Sequence, residues 1–588
     1  MKRGRGVMRH RKQAGIAISV LVTLGMVLSM LLMSGIALGD TRGRSDTPAG
    51  GFAAEYPAPT VTSVTPDSEY NDGTVNITDL KGANFREGAQ VRMEGPSGSG
   101  DAGAGIIHAY NVEVVSSSRI TCTFDLHRAQ AGSYTVTVTN AGDWVGGSKE
   151  DAFTVEEAPP ATPTWYLAEG TTDWGYSCYI TIQNPNRDPV NITITYMTDS
   201  GDLLERDIGL YADSQVTVSP ADTLGAKDFS TKVECKESKT IAVDRTMTWT
   251  REAPLSLDGH CSIGVTSPAK TWYLAEGSSD WGFECWLLIQ NPNATEATAQ
   301  VTYMIEGAEP QVFEKKIPAN RRETYNMADD IGEADASIKV QADIPVIPER
   351  AMYRNINNKR SGHDSIGTTT PATTYYLAEG TTNYGFTTYA LVQNPNDTAT
   401  EVNVTYLTNS GPVAHPENPI AMAANSRHTI EVNKFLPGSD FSTKVTGSNP
   451  IIAERAMYWD YGLGEACHDS IGMSEPHTTF YLPDGQTSDG RETYTLVANP
   501  NDTPVTVEIS YLTPGGTDNV TFEETILANS RMTYNMADKG ISDRAAVTVT
   551  SKTEGKKIMV ERAMYWSIGA IRAGGTDTIG GYTDPYSE

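Results

Sequence analysis

Trp165-Tyr166-Leu167-Ala168-Glu169-Gly170 is written three more times in this chain with small changes. Trp272 opens an identical copy, Tyr375 opens Tyr-Tyr-Leu-Ala-Glu-Gly, and Phe480 opens Phe-Tyr-Leu-Pro-Asp-Gly. Counted from the shared Tyr166, Tyr273, Tyr376 and Tyr481, the copies lie 107, 103 and 105 residues apart. An Asn-Pro-Asn triplet follows 18 residues after each, at Asn184, Asn291, Asn394 and Asn499, and a second Tyr follows after 30, at Tyr196, Tyr303, Tyr406 and Tyr511. Thirty residues kept in register four times mark a duplicated folding unit. Its period of about 105 residues is too long for a solenoid turn or a propeller blade and suits a complete small domain.

Inside the unit the pattern is that of strands. Ile192, Ile194 and Tyr196 alternate with polar residues, as do Val402, Val404 and Tyr406, and Val505, Val507, Ile509 and Tyr511. This is the period-two signature of half-buried strands. Pro removes a donor and Asn tolerates turn geometry, so Asn-Pro-Asn reads as a strand connector. Ala-Asn-(Ser/Arg)-Arg at Ala319, Ala424 and Ala528 and Glu-Arg-Ala-Met-Tyr at Glu349, Glu454 and Glu561 complete the unit, with Asp244-Arg245-Thr246-Met247 in the first copy. No stretch sustains a helical apolar face. About seven short strands per unit predict a β-sandwich. The expected class is all-β: tandem immunoglobulin-like sandwich modules, five beads after an N-terminal signal or anchor segment. The divisions are 1–39 (signal or anchor), 40–55 (linker), 56–157 (first sandwich), and repeats at 164–268, 270–370, 371–476 and 477–588. Set end to end at about 35–45 Å each, a size given by typical strand lengths, the modules would form a rod or curved array.

The first module carries different motifs: Val64-Thr65-Pro66 near its start, Gly82-Ala83-Asn84-Phe85, and Gly132-Ser133-Tyr134-Thr135-Val136-Thr137-Val138-Thr139-Asn140 near its end. On these it resembles the IPT/TIG family, and the resemblance implies an immunoglobulin-like sandwich used as a spacer, dimerisation unit or sugar-adjacent domain of secreted proteins. The four repeats, on Tyr-Leu-Ala-Glu-Gly, Asn-Pro-Asn and Glu-Arg-Ala-Met-Tyr, resemble an uncharacterised repeat of large exported bacterial proteins. That resemblance implies no biochemical activity.

Lys2, Arg3, Arg5, Arg9, Arg11 and Lys12 form a basic head before an uncharged apolar run from Ala14 to Leu38. The reading favours a cleaved secretion signal over an uncleaved membrane anchor, with Ala37-Leu38-Gly39 as the small-residue site. Both readings place the rest of the chain outside the cytoplasm, at the cell surface or beyond it. Without the head, 39 Lys and Arg face 73 Asp and Glu, a net charge of −34. Bulk charge therefore excludes nucleic acid and anionic lipid as partners; a membrane is met only through the N-terminal segment if it stays uncleaved. The six Cys are sparse. Cys178–Cys235 is the expected disulfide, with Cys261–Cys285 a second, and no Cys/His spacing indicates a metal site. No cofactor is expected.

Three recurrences could carry chemistry. His260, His363 and His468 sit in Gly-His-Cys-Ser-Ile-Gly, Gly-His-Asp-Ser-Ile-Gly and Cys-His-Asp-Ser-Ile-Gly, while repeat four reads Gly575-Thr576-Asp577-Thr578-Ile579-Gly580. Adjacent residues cannot act as nucleophile, base and orienter within one such segment, so a structural role at a module junction is expected. An acid–Arg step ends in Arg245, Arg350, Arg455 and Arg562. Strand neighbours face opposite sides, so each Arg is expected to meet Glu169, Glu276, Glu379 or Asp484 of the opening motif. Trp174, Trp281 and Tyr384 each precede a Gly in a loop, where an aromatic either plugs the sandwich or stacks on a sugar ring. No catalytic residue is assigned. The expected function is that of a non-enzymatic surface protein, structural or adhesive, acting through multivalency. The alternative is a carbohydrate- or cell-wall-binding protein that uses the loop aromatics. Partners would be an extracellular polysaccharide or another surface protein.

Overall fold

The computed structural model describes residues 57–71, 74–95, 105–126, 129–142, 146–156, 162–250, 257–356, 359–408, 410–569 and 571–582. The signal or anchor segment and the linker lie outside them. The described chain is almost entirely β. It divides into two compact units, one formed by most of the N-terminal module and one holding all four repeats.

The N-terminal module has two sheets. One orders Thr60–Ser63, Thr74–Ala83, Arg119–Asp125 and Tyr110–Ser116; the other orders Ser68–Tyr70, Gly147–Glu156, Gly132–Thr139, Gln90–Glu94 and Ile106–His108. Tyr134, Val136 and Val138, the alternating residues of the sequence pattern, are buried.

Each repeat is also built from two sheets. In repeat one, Thr164–Leu167, Phe229–Cys235, Val190–Thr198 and Leu203–Leu210 form the first; Ser214–Val218, Tyr176–Asn184, Ala242–Thr250 and Leu257–Ile263 form the second. Repeat four has the same order. In repeats two and three, the strands Ala336–Ile356 and Phe441–Asp460 run without a break through both sheets and join them. Trp165, Ile180, Ile194, Tyr196 and Val233 fill the space between the sheets in repeat one.

The Asn-Pro-Asn connector holds itself by its side chains. Buried Asn184 donates to the carbonyls of Asp188 and Tyr211, and its Oδ1 accepts both the backbone and side-chain N–H of Asn186. Asn186 Nδ2 then reaches Thr240 O at 2.7 Å, tying the turn to the next strand pair. The same bonds recur at Asn291, Asn394 and Asn499.

The repeats do not string out end to end. The last strand of each second sheet (Leu257–Ile263, Lys359–Ile366, Glu465–Ile471, Ile571–Ile579) packs beside its counterpart in the next repeat, and the fourth packs beside the first. The four strands surround one axis, where Ser262, Ser365, Ser470 and Thr578 are buried around a space of about 10 Å³. Four repeats therefore close into a ring. The rod or curved array expected from modules set end to end is not what the repeats form; the seams below show why, since no repeat satisfies all of its own polar groups.

The expected disulfides are absent: Cys178, Cys235, Cys261 and Cys285 are buried free thiols. Cys178 lies on the second sheet of repeat one and Cys235 on the first. Cys261 lies on the axis against repeat four, its thiol 3.4 Å from Asp577 O, whereas Cys285 belongs to repeat two.

Candidate ligand-binding clefts at the repeat seams

A buried ion network fills each seam. The Arg245 guanidinium, fully buried, donates to Glu169 Oε2 of its own repeat at 3.1 Å and to Glu349 Oε1 of the next at 2.8 Å. It also bonds Asp364, again from repeat two. His260 Nδ1 lies 2.7 Å from Asp364 Oδ1, and its Nε2 lies 2.8 Å from the Tyr353 hydroxyl, which donates to Glu169 Oε1 at 3.1 Å. The second seam repeats this with Arg350, Glu276, Glu454, Asp469, His363 and Tyr458. The third uses Arg455, Glu379, Glu561, Asp577, His468 and Tyr565. At the closing seam Arg562 bonds Asp244 at 3.2 Å and meets the Cys261 thiol where the others meet Asp; Thr576 stands in place of His, and Asp484 pairs with Arg544.

The sequence pairing of Arg with the opening-motif acid thus holds at three seams. Its inter-repeat half was not visible, because nothing in a single repeat says which neighbour supplies Glu349 or Asp364. The three histidines lie between repeats, each bonded to a Tyr of the following one.

Burial drives the protonation pattern. It pushes the Glu349, Glu454 and Asp244 carboxyls up to about 7 against the pull of Arg245, Arg350 and Arg562 respectively. Burial also opposes ionisation of Asp364, yet Arg245 and His260 together hold it below the usual range. For His260 and His363 burial opposes the cation, but Asp364 and Glu169, and Asp469 and Glu276, raise them. Two carboxylates and a His within reach of one another form a donor set of metal-binding type at three seams. The cation there is the guanidinium, which already bonds the same carboxylates.

Above the networks of the first and third seams open two equivalent clefts, about 570 Å³ and 960 Å³. Their walls match position by position. Tyr176, Trp286 and Tyr353 of the first correspond to Phe386, Tyr494 and Tyr565 of the third. Arg360 lies 4.3 Å over the Tyr353 ring and pairs with Glu284; Arg572 lies 4.2 Å over Tyr565 and pairs with Glu492. Arg322 donates to Gly170 O across the first seam at 3.1 Å, and Arg531 reaches Gly380 O across the third at 3.5 Å. Glu169 and Glu379 form part of the floors.

Trp174 and Tyr384, two of the loop aromatics singled out in the sequence, line these clefts. They do not plug the sandwich: Trp174 is 76% exposed and Tyr384 68%. Their backbones are left-handed, with φ of 57° and 55°. For a bulky L-residue that conformation costs about 1–2 kcal/mol. The loops are nonetheless tightly held, for Thr172 Oγ1 donates to Gly225 O at 2.5 Å and Thr382 Oγ1 to Leu436 O at 2.5 Å. Trp281 adopts the same conformation in repeat two, 69% exposed, with its indole N–H on Asp335.

The alternate seams differ at the same positions. At the second seam Arg354 replaces the Trp249 of repeat one, lies 4.3 Å over Phe283 and pairs with Glu465, which stands where the first seam has Arg360. At the closing seam Asp489 replaces the loop aromatic and Arg491 takes the wall position of Tyr176 and Phe386, 5.9 Å from the Trp566 ring.

No protein-family model matches the chain, and no curated protein matches it. Among solved structures it is similar to a Thermotoga maritima protein designated 1070, at 21% identity over 17% of this chain and 93% of that one, TM-score 0.16. It is also similar to a tetra-tandem repeat from the extending region of a large adhesion protein, at 12% identity over 71% and 100%, TM-score 0.12. A third similarity is to the Streptomyces avermitilis α-L-rhamnosidase complexed with L-rhamnose, at 10% identity over 87% and 58%, TM-score 0.12. None of these likenesses bears on the function of the clefts.

Proposed function

We propose that this is an exported, non-catalytic surface protein whose ring of repeats adheres to carbohydrate through the two seam clefts. One observation carries the reading: an aromatic residue is held in a left-handed backbone, exposed, at the mouth of an aromatic-walled cleft, and this is built twice. Strained backbone concentrates where a side chain must be presented, and a sugar ring stacks on such a face while Arg and carboxylate groups take its hydroxyls. The seam His–Asp pairs are buried and engaged with Arg and Tyr, which fits binding rather than turnover. The N-terminal module, on its IPT/TIG resemblance, would be a spacer, and residues 1–39 would direct export. Glycan-array binding with the full exported chain tests this. Saturable binding that is lost when Trp174 and Tyr384 are both changed to Ala supports it; binding unchanged by the double substitution refutes it and leaves a purely structural ring.

A further inference from the structure

Two residues that break the fourfold pattern meet beside the axis. Asp258 stands where the other repeats have Ser361, Ala466 and Gly574, and Lys359 stands where repeats three and four have Gly464 and Ile571. Lys359 is 3% exposed and Asp258 fully buried. Lys359 Nζ lies 3.7 Å from Asp258 Oδ2. Among the described residues that oxygen has no hydrogen-bond donor. The other carboxyl oxygen, Oδ1, accepts the Gly259 N–H at 2.9 Å, and the Gly575 N–H also bonds this carboxyl. Lys359 Nζ itself donates to Ala573 O at 2.6 Å.

As an ion pair this arrangement is poor. A separation of 3.7 Å is beyond hydrogen-bond reach, and a buried pair offsets its desolvation only when the remaining lone pairs are satisfied. Burial pushes the Asp258 carboxyl up to about 8 despite the nearby ammonium. As a reacting pair the same geometry is well formed: a buried amine 3.7 Å from the carboxyl, one carboxyl oxygen held by the Gly259 N–H and the other without a donor among the described residues.

We propose that Lys359 and Asp258 condense into an intramolecular isopeptide bond that ties repeat one to repeat two. Proton transfer within the pair gives a neutral amine and a neutral acid. The Nζ lone pair attacks Cγ, and the charge that develops on Oδ1 meets the Gly259 N–H, a donor placed as in an oxyanion hole. The Cγ–Oδ2 bond breaks and Oδ2 leaves as water, carrying its own proton and one from nitrogen. The amide N–H that remains keeps its bond to Ala573 O. No oxidant or other reactant is consumed, and two buried charges disappear. Gly574 leaves the necessary room, since a Cβ there would lie 2.7 Å from Asp258 Oδ1.

Tryptic digestion of the full chain with mass spectrometry tests the bond. The expected product is Glu252–Lys270 joined to Asn355–Arg360 as one branched species, one water lighter than its parts, with no cleavage after Lys359. Lys359→Arg is expected to release the two segments as separate peptides. Recovery of free Glu252–Lys270 and free Asn355–Lys359 in full yield from the unsubstituted chain overturns the proposal, whatever the folding of the variant.

Discussion

Glu349 Oε2 accepts the backbone N–H of Glu169 at 2.7 Å, although the two residues belong to different repeats. The bond recurs from Glu276 to Glu454, from Ala378 and Glu379 to Glu561, and from Asp484 to Asp244, which returns from the fourth repeat to the first. Each repeat therefore completes the polar interior of its predecessor, and no end is left over.

Removing the cation of a seam should be severe. Arg245→Leu leaves Glu169, Glu349 and Asp364 buried with only His260 to balance them, a loss expected to cost about 3–5 kcal/mol. Urea titration followed by tryptophan fluorescence should show the midpoint fall. Arg562→Leu should cost less, because Cys261 stands where the other seams present a third carboxylate.

Relieving the loop strain should separate stability from binding. Asn tolerates the left-handed region, so Trp174→Asn is expected to leave the thermal midpoint unchanged or raise stability by up to about 1 kcal/mol. Glycan binding at the first seam should fall in the same protein. A destabilised variant with intact binding would contradict the assigned role of the loop.

Stability should decline as pH rises from the acidic range through about 7. Glu349, Glu454 and Asp244 are raised to about 7 from ordinary values of 4.5, 4.5 and 3.8, so the folded ring keeps protons that the unfolded chain has already released. The raised His260 and His363 act in the same sense: their contribution is complete below the unfolded value of 6.5 and is lost as pH passes their folded values. The lowered Asp364 and Asp469 oppose this only when pH falls through their own low values. His468, pushed down to about 3 by burial, opposes it below its unfolded value of 6.5, so the decline is steepest above that value. Denaturation midpoints measured from pH 5 to pH 9 should drop across this window, and His363→Gln should flatten the drop.

The connector should be sensitive to one atom group. Asn499→Ala removes the side chain that bonds Thr503 O, Ile526 O and Asn501, leaving buried carbonyls unpaired. At about 1–3 kcal/mol per unsatisfied group, the midpoint of repeat four should fall measurably. Hydrogen exchange should locate the loss at residues 499–503 and 526.

Much of the site was legible as position and not as partnership. The loop aromatics stood out because Trp174, Trp281 and Tyr384 precede a Gly at one repeat position, and the Arg–Glu pair stood out because both members recur. The clefts did not, since each wall takes Trp174 or Tyr384 from one repeat and Trp286 or Tyr494 from the next. Cys178 and Cys235 are both buried free thiols on the two sheets of repeat one, and spacing along the chain does not say whether two such thiols meet with the geometry a disulfide requires.

Period-two alternation, Asn-Pro-Asn and the fourfold motif were enough by themselves to determine an all-β chain of repeated two-sheet modules, because those signals act within a few residues of one another. Only the tertiary structure decided that the repeats close on themselves. Closure depends on satisfying buried charge between residues more than a hundred positions apart, as Arg245 does with Glu349 and Arg562 with Asp244, and a linear pattern carries no record of which buried group will find which partner.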